Sequence, residues 1–263
     1  MMSHDNPKVI EISDGAAIPT KKDIGLFSAW RIAFFGALLV LIYLVAAKPD
    51  PYLRIVKFLP DGIIVTFQVT FFSIALALLL GLITGIGRIS RNKLINAIAS
   101  TYVEVVRGIP LLVQLFYIYY ALGRFVKVPD MVAAVVAMSV CYGAYMGEVF
   151  RAGIESIDKG QTEAARSLGF NRRQTMFYVI LPQAWRTILP PVGNEFIALL
   201  KDTSLVSILA VADLLRRGRE FASETFAYFE TYTVIALIYL LITLVLSKLV
   251  SLMEERLNYY GKV

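Results

Sequence analysis

The chain has 263 residues, of which 57% are hydrophobic and only 17% charged, where a soluble domain of this size carries about a quarter. The apolar residues run on without the polar stripe of a surface helix, so lipid is the expected solvent for most of the chain, and the net charge of +6 reads as basic residues flanking membrane spans rather than a nucleic-acid surface. The single cysteine, Cys141, excludes an intrachain disulfide or a cysteine metal cluster, and the single histidine, His4, sits in a polar terminus away from any span.

Residues 1–28 are polar, with Pro7 and Pro19, and read as a cytoplasmic tail. The first apolar run covers residues 32–47. Trp30 and Arg31 as interfacial anchors, and the long polar stretch before them, favour a retained span over a cleaved signal peptide. The second run covers 62–87 and ends in Arg88, Arg91 and Lys93; the third covers 98–122 and contains Glu104, Arg107 and Pro110. The fourth, 131–150, is closed by Arg151, and the fifth, 176–200, is punctuated by Pro182, Pro190 and Pro191. The sixth covers 232–252 and ends in Glu254, Glu255 and Arg256. Each run approaches the ~20 residues that a helix needs to cross a bilayer.

Six spans place both termini on one side, and the basic residues say which. The termini and the loops on their side hold 14 (Lys8, Lys21, Lys22, Arg88, Arg91, Lys93, Arg151, Lys159, Arg166, Arg172, Arg173, Lys248, Arg256, Lys262). The opposite loops hold 9 (Lys48, Arg54, Lys57, Arg124, Lys127, Lys201, Arg216, Arg217, Arg219). The excess puts both termini in the cytoplasm.

The polar stretch at 151–169 is longer than a membrane hairpin needs and encodes a helix of its own. Thr162 is placed to cap it, Glu163 to complement its dipole, Ala164 and Ala165 favour helix, and Gly169 suits a left-handed terminator. Asn171 and Gln174 have the spacing of a capping box that starts the next helix. From the residues alone, such a surface helix either docks a partner through its small side chains or only buttresses the bundle.

Glu163-Ala164-Ala165 followed by Gly169, then Ile180-Leu181-Pro182, resembles the EAA loop of permease subunits of ATP-binding-cassette importers of type I. The segments 102–114, 143–148, 181–184, 189–194 and 200–204, with Gly160-Gln161, are similar to the polar amino-acid branch of that family. The resemblance implies an all-α polytopic transmembrane bundle in a bacterial inner membrane. It implies a core of five spans at 61–254, with 155–172 as the cytoplasmic coupling segment, and leaves 29–60 as an additional span with its outer loop and 255–263 as a cytoplasmic tail. It also implies a second permease subunit, identical or homologous, two ATPase subunits, and an extracytoplasmic amino-acid-binding protein. The chain has no phosphate-cradling Gly-x-x-x-x-Gly-Lys-Ser/Thr, so ATP and Mg belong on the separate ATPase and this chain binds no cofactor and is no enzyme. Gly160, Glu163, Ala164, Ala165, Arg166 and Gly169 are then the residues expected to meet the ATPase.

Charged residues inside spans face cavities or protein interfaces. Glu104 and Arg107 share a helix face and are expected to pair, Glu148 and Arg186 lie toward the cytoplasmic ends, and Glu195 lies deeper. Glu195 follows Pro190, Pro191 and Gly193, where an interrupted helix is expected, so Asn194 and Glu195 are the candidate solute contacts, with pairing across a helix interface as the alternative for Glu195. Lys201, Asp202, Thr203 and Ser204 are a candidate gate or subunit interface. Arg216, Arg217 and Arg219 form a basic cluster that either docks an acidic surface of the binding protein or lies in a solvated loop. An ion-coupled secondary transporter or channel is the competing class, and the inverted repeats or mid-span carboxylates it calls for are not evident.

Overall fold

The computed structural model describes residues 28–259; the tail expected at 1–28 and the last four residues of the chain fall outside them, apart from Ser28. Ser28 caps α1 (Ala29–Ala47), its hydroxyl accepting from the Arg31 N–H at 3.2 Å. A second helix, α2 (Pro49–Phe58), stands where sequence reading predicts only a loop. Its Tyr52 and Ile55, with Leu59 just beyond, are three and four residues apart and form one buried face. α3 (Pro60–Arg88) and α6 (Asp130–Glu155) match the second and fourth apolar runs.

The third run, predicted as one span, is two helices. α4 (Lys93–Gly108) and α5 (Leu111–Phe125) meet at a bend of 110°. Pro110 disfavours the helical conformation for the residue before it, and Ile109 takes the extended one (φ −106°, ψ 136°). After α6 come a surface helix, α7 (Lys159–Ser167), and one turn, α8 (Arg172–Gln174). A π-helical turn, Thr175–Ile180, leads into α9 (Leu181–Asp202). The widened turn lies just before Pro182, which has no N–H to give to the preceding turn. A 3₁₀ segment, Thr203–Leu209, the short helix α10 (Leu214–Thr225) and the long α11 (Tyr228–Tyr259) complete the chain, so α11 continues as helix into residues expected to be a tail.

The centre of the molecule is the pairing of α3 with α6. Gly81 and Gly85 on α3 lie against Met146 and Phe150, and Gly143 and Gly147 on α6 lie against Leu80 and Thr84; a methyl group at any of the four would collide. Both pairs have the four-residue spacing that lets two membrane helices touch along their backbones. α5 and α9 add Leu115, Ala184, Ile188 and Leu199 to this core. A second cluster at one end joins α2, α10 and α11 through Ile55, Leu59, Leu214, Phe221 and Ile235. Large apolar side chains such as Phe71, Leu79 and Ile83 remain exposed on α3, as a lipid-facing surface requires. α1 is held to α11 by the Trp30 indole, which donates to the Leu244 carbonyl at 2.8 Å.

Candidate functional site

Two places concentrate polar groups that the fold itself does not need. The first is the surface helix α7. It starts one turn earlier than expected, capped by Asp158, whose carboxylate accepts from the Gly160 N–H at 2.7 Å, rather than by Thr162. Glu163 is therefore its fifth residue, past the first turn where the dipole acts. Its end matches expectation: Gly169 is left-handed (φ +87°), and the N–H groups of Gly169 and Phe170 close on the carbonyls of Arg166 and Ala165 at 3.0 and 3.1 Å. Asn171 and Gln174 exchange side-chain and backbone hydrogen bonds at 3.0 and 2.9 Å, so α8 follows without slack. Ala165 is buried against the π-helical turn, and Gln183 of α9 donates to Gln161 at 3.2 Å. Gly160, Glu163, Ala164, Arg166 and Leu168 face outward, Leu168 being 79% exposed.

In the C-terminal turns of α6, an ion ladder ties α3, α4 and α6 together. Glu148 is shared by Arg88 and Arg151, Arg151 also pairs with Glu155, and Arg88 reaches Glu104 at 3.6 Å. The expected Glu104–Arg107 pair is thus replaced by Glu104–Arg88. Released from Glu104, Arg107 lies over the ring of Tyr145, 5.6 Å from its centroid.

That stack begins the second place, midway along α6. Tyr145 and Tyr142 approach with centroids 5.6 Å apart, and the Tyr142 hydroxyl donates to Asp202 at 2.7 Å. Glu195 stands seven residues before Asp202, two turns back on the same face of α9. None of the ion pairs among the described residues involves Arg107, Glu195 or Asp202. A cavity of about 310 Å³ opens beside the Arg107–Tyr145 stack, lined by Val103, Glu104, Arg107, Gly108 and Tyr145. It lies at the α4–α5 break, where backbone carbonyls lose their helical donors. Gln114 supplies the replacement, donating to the carbonyls of Val106 and Ile109 at 2.6 and 2.7 Å. The thiol of Cys141 donates back to the Gln114 carbonyl oxygen at 3.1 Å.

The interruption expected at residues 190–193 does not occur. α9 runs unbroken through Pro190 and Pro191, and Gly193 instead admits Val250 of α11, the nearest atom to a would-be Cβ at 2.7 Å. Asn194, rotated by about 100° from Glu195, is exposed on another side of the helix. Of residues 201–204, Lys201 is exposed and Ser204 half-buried, whereas Thr203 is fully buried within its own subunit and its hydroxyl donates to the Leu200 carbonyl at 2.7 Å. Arg107, Gln114, Tyr142 and Tyr145 are the members that sequence reading missed or misassigned. The spacing of Tyr142 and Tyr145 within an apolar run was the available signal.

The basic cluster is largely engaged at home. Arg217 lies 4.4 Å over the Phe58 ring and pairs with Glu220 and Asp61 at 3.2 and 3.6 Å; Arg216 pairs with Glu220 at 3.2 Å, and Arg219 is exposed. Their helix is capped by Asp213, which accepts from the N–H groups of Arg216 and Leu215 at 3.0 and 3.2 Å. Burial pushes the Asp213 carboxyl up to about 6, against the opposing pull of those two N–H groups.

A bundle of lipid-facing helices with a projecting polar helix at one end is the architecture of a membrane transport subunit. Residues 77–259 match the family described as "Binding-protein-dependent transport system inner membrane component", and the chain belongs to that family. It is 38% identical over 206 residues to the glutamine transport system permease protein GlnP of Escherichia coli (strain K12), spanning 77% of this chain and 94% of that one. To the L-cystine transport system permease protein TcyB of Bacillus subtilis (strain 168) it is 41% identical over 204 residues, 77% and 87% of the two chains. Among solved structures, a chain described as the crystal structure of an amino acid ABC transporter with histidines superposes with a TM-score of 0.74 at 44% identity, covering 78% of this chain and 96% of that one. A chain from the inward-facing MetNI methionine ABC transporter, at 20% identity and a TM-score of 0.63, shares the fold.

Proposed function

We propose that this chain is the transmembrane permease subunit of an ATP-driven amino-acid importer of the bacterial inner membrane. With a second permease subunit, identical or homologous, it forms an alternating-access path for a polar or charged amino acid delivered by an extracytoplasmic binding protein. ATP and Mg act on two separate ATPase subunits. The chain crosses the membrane six times with both termini in the cytoplasm: one additional span and its outer helix at 29–60, then a core at 61–254. The relatives named for glutamine, cystine and amino-acid transport support the substrate class.

The observation that carries the reading is α7. A nine-residue helix, capped at both ends and anchored by the buried Ala165 and the Gln161–Gln183 hydrogen bond, projects Glu163, Ala164, Arg166 and Leu168 away from the bundle. Small residues let a partner's backbone approach, Leu168 offers an anchor, and Glu163 and Arg166 give direction. Seated in a groove of the ATPase, residues 155–172 would move with it when ATP closes the ATPase pair, and the ion ladder joining α6 to α3 and α4 would carry that motion into the bundle. The test is ATP-driven amino-acid uptake into vesicles holding the assembled transporter. Gly169→Val forces a β-branched residue into the left-handed region, and Glu163→Arg inverts a docking charge; each is expected to lower uptake at least about tenfold. Uptake indifferent to both changes and to ATP depletion would favour an ion-coupled transporter.

Within the path, Arg107 is placed for the carboxylate of an amino acid, and Glu195 or Asp202 for its ammonium group. Asn194, on another side of α9, is left to contacts with the second subunit. Lys201 and Ser204 flank the end of the path, and Arg219 is the member of the basic cluster free to meet an acidic binding protein.

A further inference from the structure

A second cavity, of about 470 Å³, opens at the end of α6 remote from α7, between the last turns of α5, the loop after it and the start of α6. Its polar lining is Tyr119, Tyr120, Arg124, Lys127 and Asp130. α6 has 26 residues, so its two ends stand roughly 39 Å apart, against about 30 Å of hydrocarbon. The cavity therefore lies at the level of the lipid headgroups, on the membrane face opposite α7. Three charged residues line it, and only one of them is engaged. Asp130 accepts from the Tyr119 hydroxyl at 2.6 Å and stands in the first turn of α6, where the helix dipole favours an anion. Arg124 and Lys127 are exposed, and none of the ion pairs among the described residues involves either. The cavity offers two cations to an anion, and its single carboxylate is already taken.

The surroundings select the kind of anion. Tyr119 and Tyr120 meet edge to face with centroids 5.5 Å apart, and such rings belong at the boundary between acyl chains and water. Phe125 and Val126, the two residues between the cations, are 82% and 56% exposed. A soluble phosphate would leave both in water, and an acidic protein loop would desolvate them only if it were itself apolar; an acyl chain covers them directly. The guanidinium of Arg124 matches two oxygens of a phosphate at once, and the Lys127 ammonium adds a point charge. A headgroup that also carries an ammonium would meet those two cations with no free acceptor, because Asp130 is held by Tyr119. A phosphodiester without an ammonium has no such conflict.

We propose that Arg124 and Lys127 hold the phosphate of an anionic phospholipid on the membrane face opposite α7, with its acyl chains along Phe125. The probes are phosphatidylglycerol and, with identical chains, phosphatidylethanolamine. Each is titrated onto the delipidated transporter in detergent, and lipid bound to the intact complex is counted by native mass spectrometry. The wild type is expected to bind phosphatidylglycerol at least about tenfold tighter than phosphatidylethanolamine. One basic residue near an anionic headgroup is worth about fivefold, so Arg124→Gln and Lys127→Gln should each lower phosphatidylglycerol affinity by that factor. Together they should bring it down to the phosphatidylethanolamine level. Lys57→Gln, which removes an exposed cation elsewhere at the same end of the bundle, should leave it within about twofold. Equal affinity for the two lipids in the wild type, or a phosphatidylglycerol preference that survives the double substitution, overturns the proposal. Displacement of phosphatidylglycerol by excess glycerol 3-phosphate would make this a site for soluble phosphate and overturns the lipid assignment. A double variant that keeps wild-type lipid binding but loses stimulation of ATP hydrolysis by the binding protein gives the two cations to a protein partner instead. None of these outcomes touches the solute path, so the lipid site and the transport reading stand or fall separately.

Discussion

Prolines stand in two spans of this bundle, at residues 108–110 and 189–193, and the chain responds to them in opposite ways. At the first, Ile109 swings into the extended region and the helix turns by 110°. At the second, α9 passes through two consecutive prolines without a break. Proline chemistry is the same in both places, so the surroundings decide. α9 is wedged: Ile188 lies on Gly153 of α6, and Gly193 receives Val250 of α11. A kink there would open both contacts. Gly108 has nothing within 4 Å of where a Cβ would stand, and the carbonyls freed at the bend are met by one nearby side chain, Gln114. A proline breaks a membrane helix where a substitute donor exists and no neighbour holds the axis straight. The bend then leaves the open volume that Arg107 and Tyr145 line.

Two substitutions attack that contrast directly, and melting of the purified complex in detergent reads both. Gly193→Leu drives a side chain into Val250 and should separate α9 from α11, destabilising the complex by about 3 kcal/mol, the upper range for overpacking. If the wedge is what keeps α9 straight, this variant should also lose uptake. Gln114→Leu conserves volume while stripping the donors from two carbonyls. A bare buried carbonyl costs about 1–3 kcal/mol, and partial rescue by the flexible bend brings the sum to about 2 kcal/mol. An unchanged melting point for Gln114→Leu would mean that the break is not held by its amide.

The same contrast explains what could be read from the residues. α7 was legible because its determinants are local: Gly169, Asn171 and Gln174 act within one turn of where they stand. Thr162 misled only because Asp158, four residues earlier, is an equally good cap and starts the helix sooner. The type I permease fold was legible for a related reason, since six apolar runs and the EAA segment are contiguous in the chain. α2 was overlooked because its apolar face has only Tyr52, Ile55 and Leu59, and needs α10 and α11 to bury it. The helix breaks and the partner of Arg107 were misread for the opposite reason to α7. Whether Pro110 or Pro190 breaks its helix depends on Gln114, Ile188 and Val250, none of which advertises its partner. Arg107 was assigned to Glu104 by the strongest local rule, and lost it to Arg88, nineteen positions earlier, which the α3–α4 turn folds back. Glu195 and Asp202 share a face by simple spacing, a relation that was open to view.

Gly108→Ala and Pro190→Ala sharpen the comparison through small numbers of different origin. Gly108 ends α4 with open space around it, so an alanine meets no atom and should stabilise by about 0.5 kcal/mol through helix propensity and a less flexible unfolded chain. Pro190→Ala restores an N–H to the Arg186 carbonyl, a gain of about 1 kcal/mol by the usual value of a hydrogen bond. It also frees the unfolded chain from a fixed φ, which costs about 0.4–1 kcal/mol. The two nearly cancel, because the neighbours of α9 already hold the backbone where the alanine would put it. The melting point should therefore move by no more than about the Gly108→Ala shift. A rise of several degrees would show instead that α9 is strained at Pro190 and that its straightness is imposed against a real tendency to kink. In that case the Gly193→Leu variant, with the wedge removed, should bend at the same place.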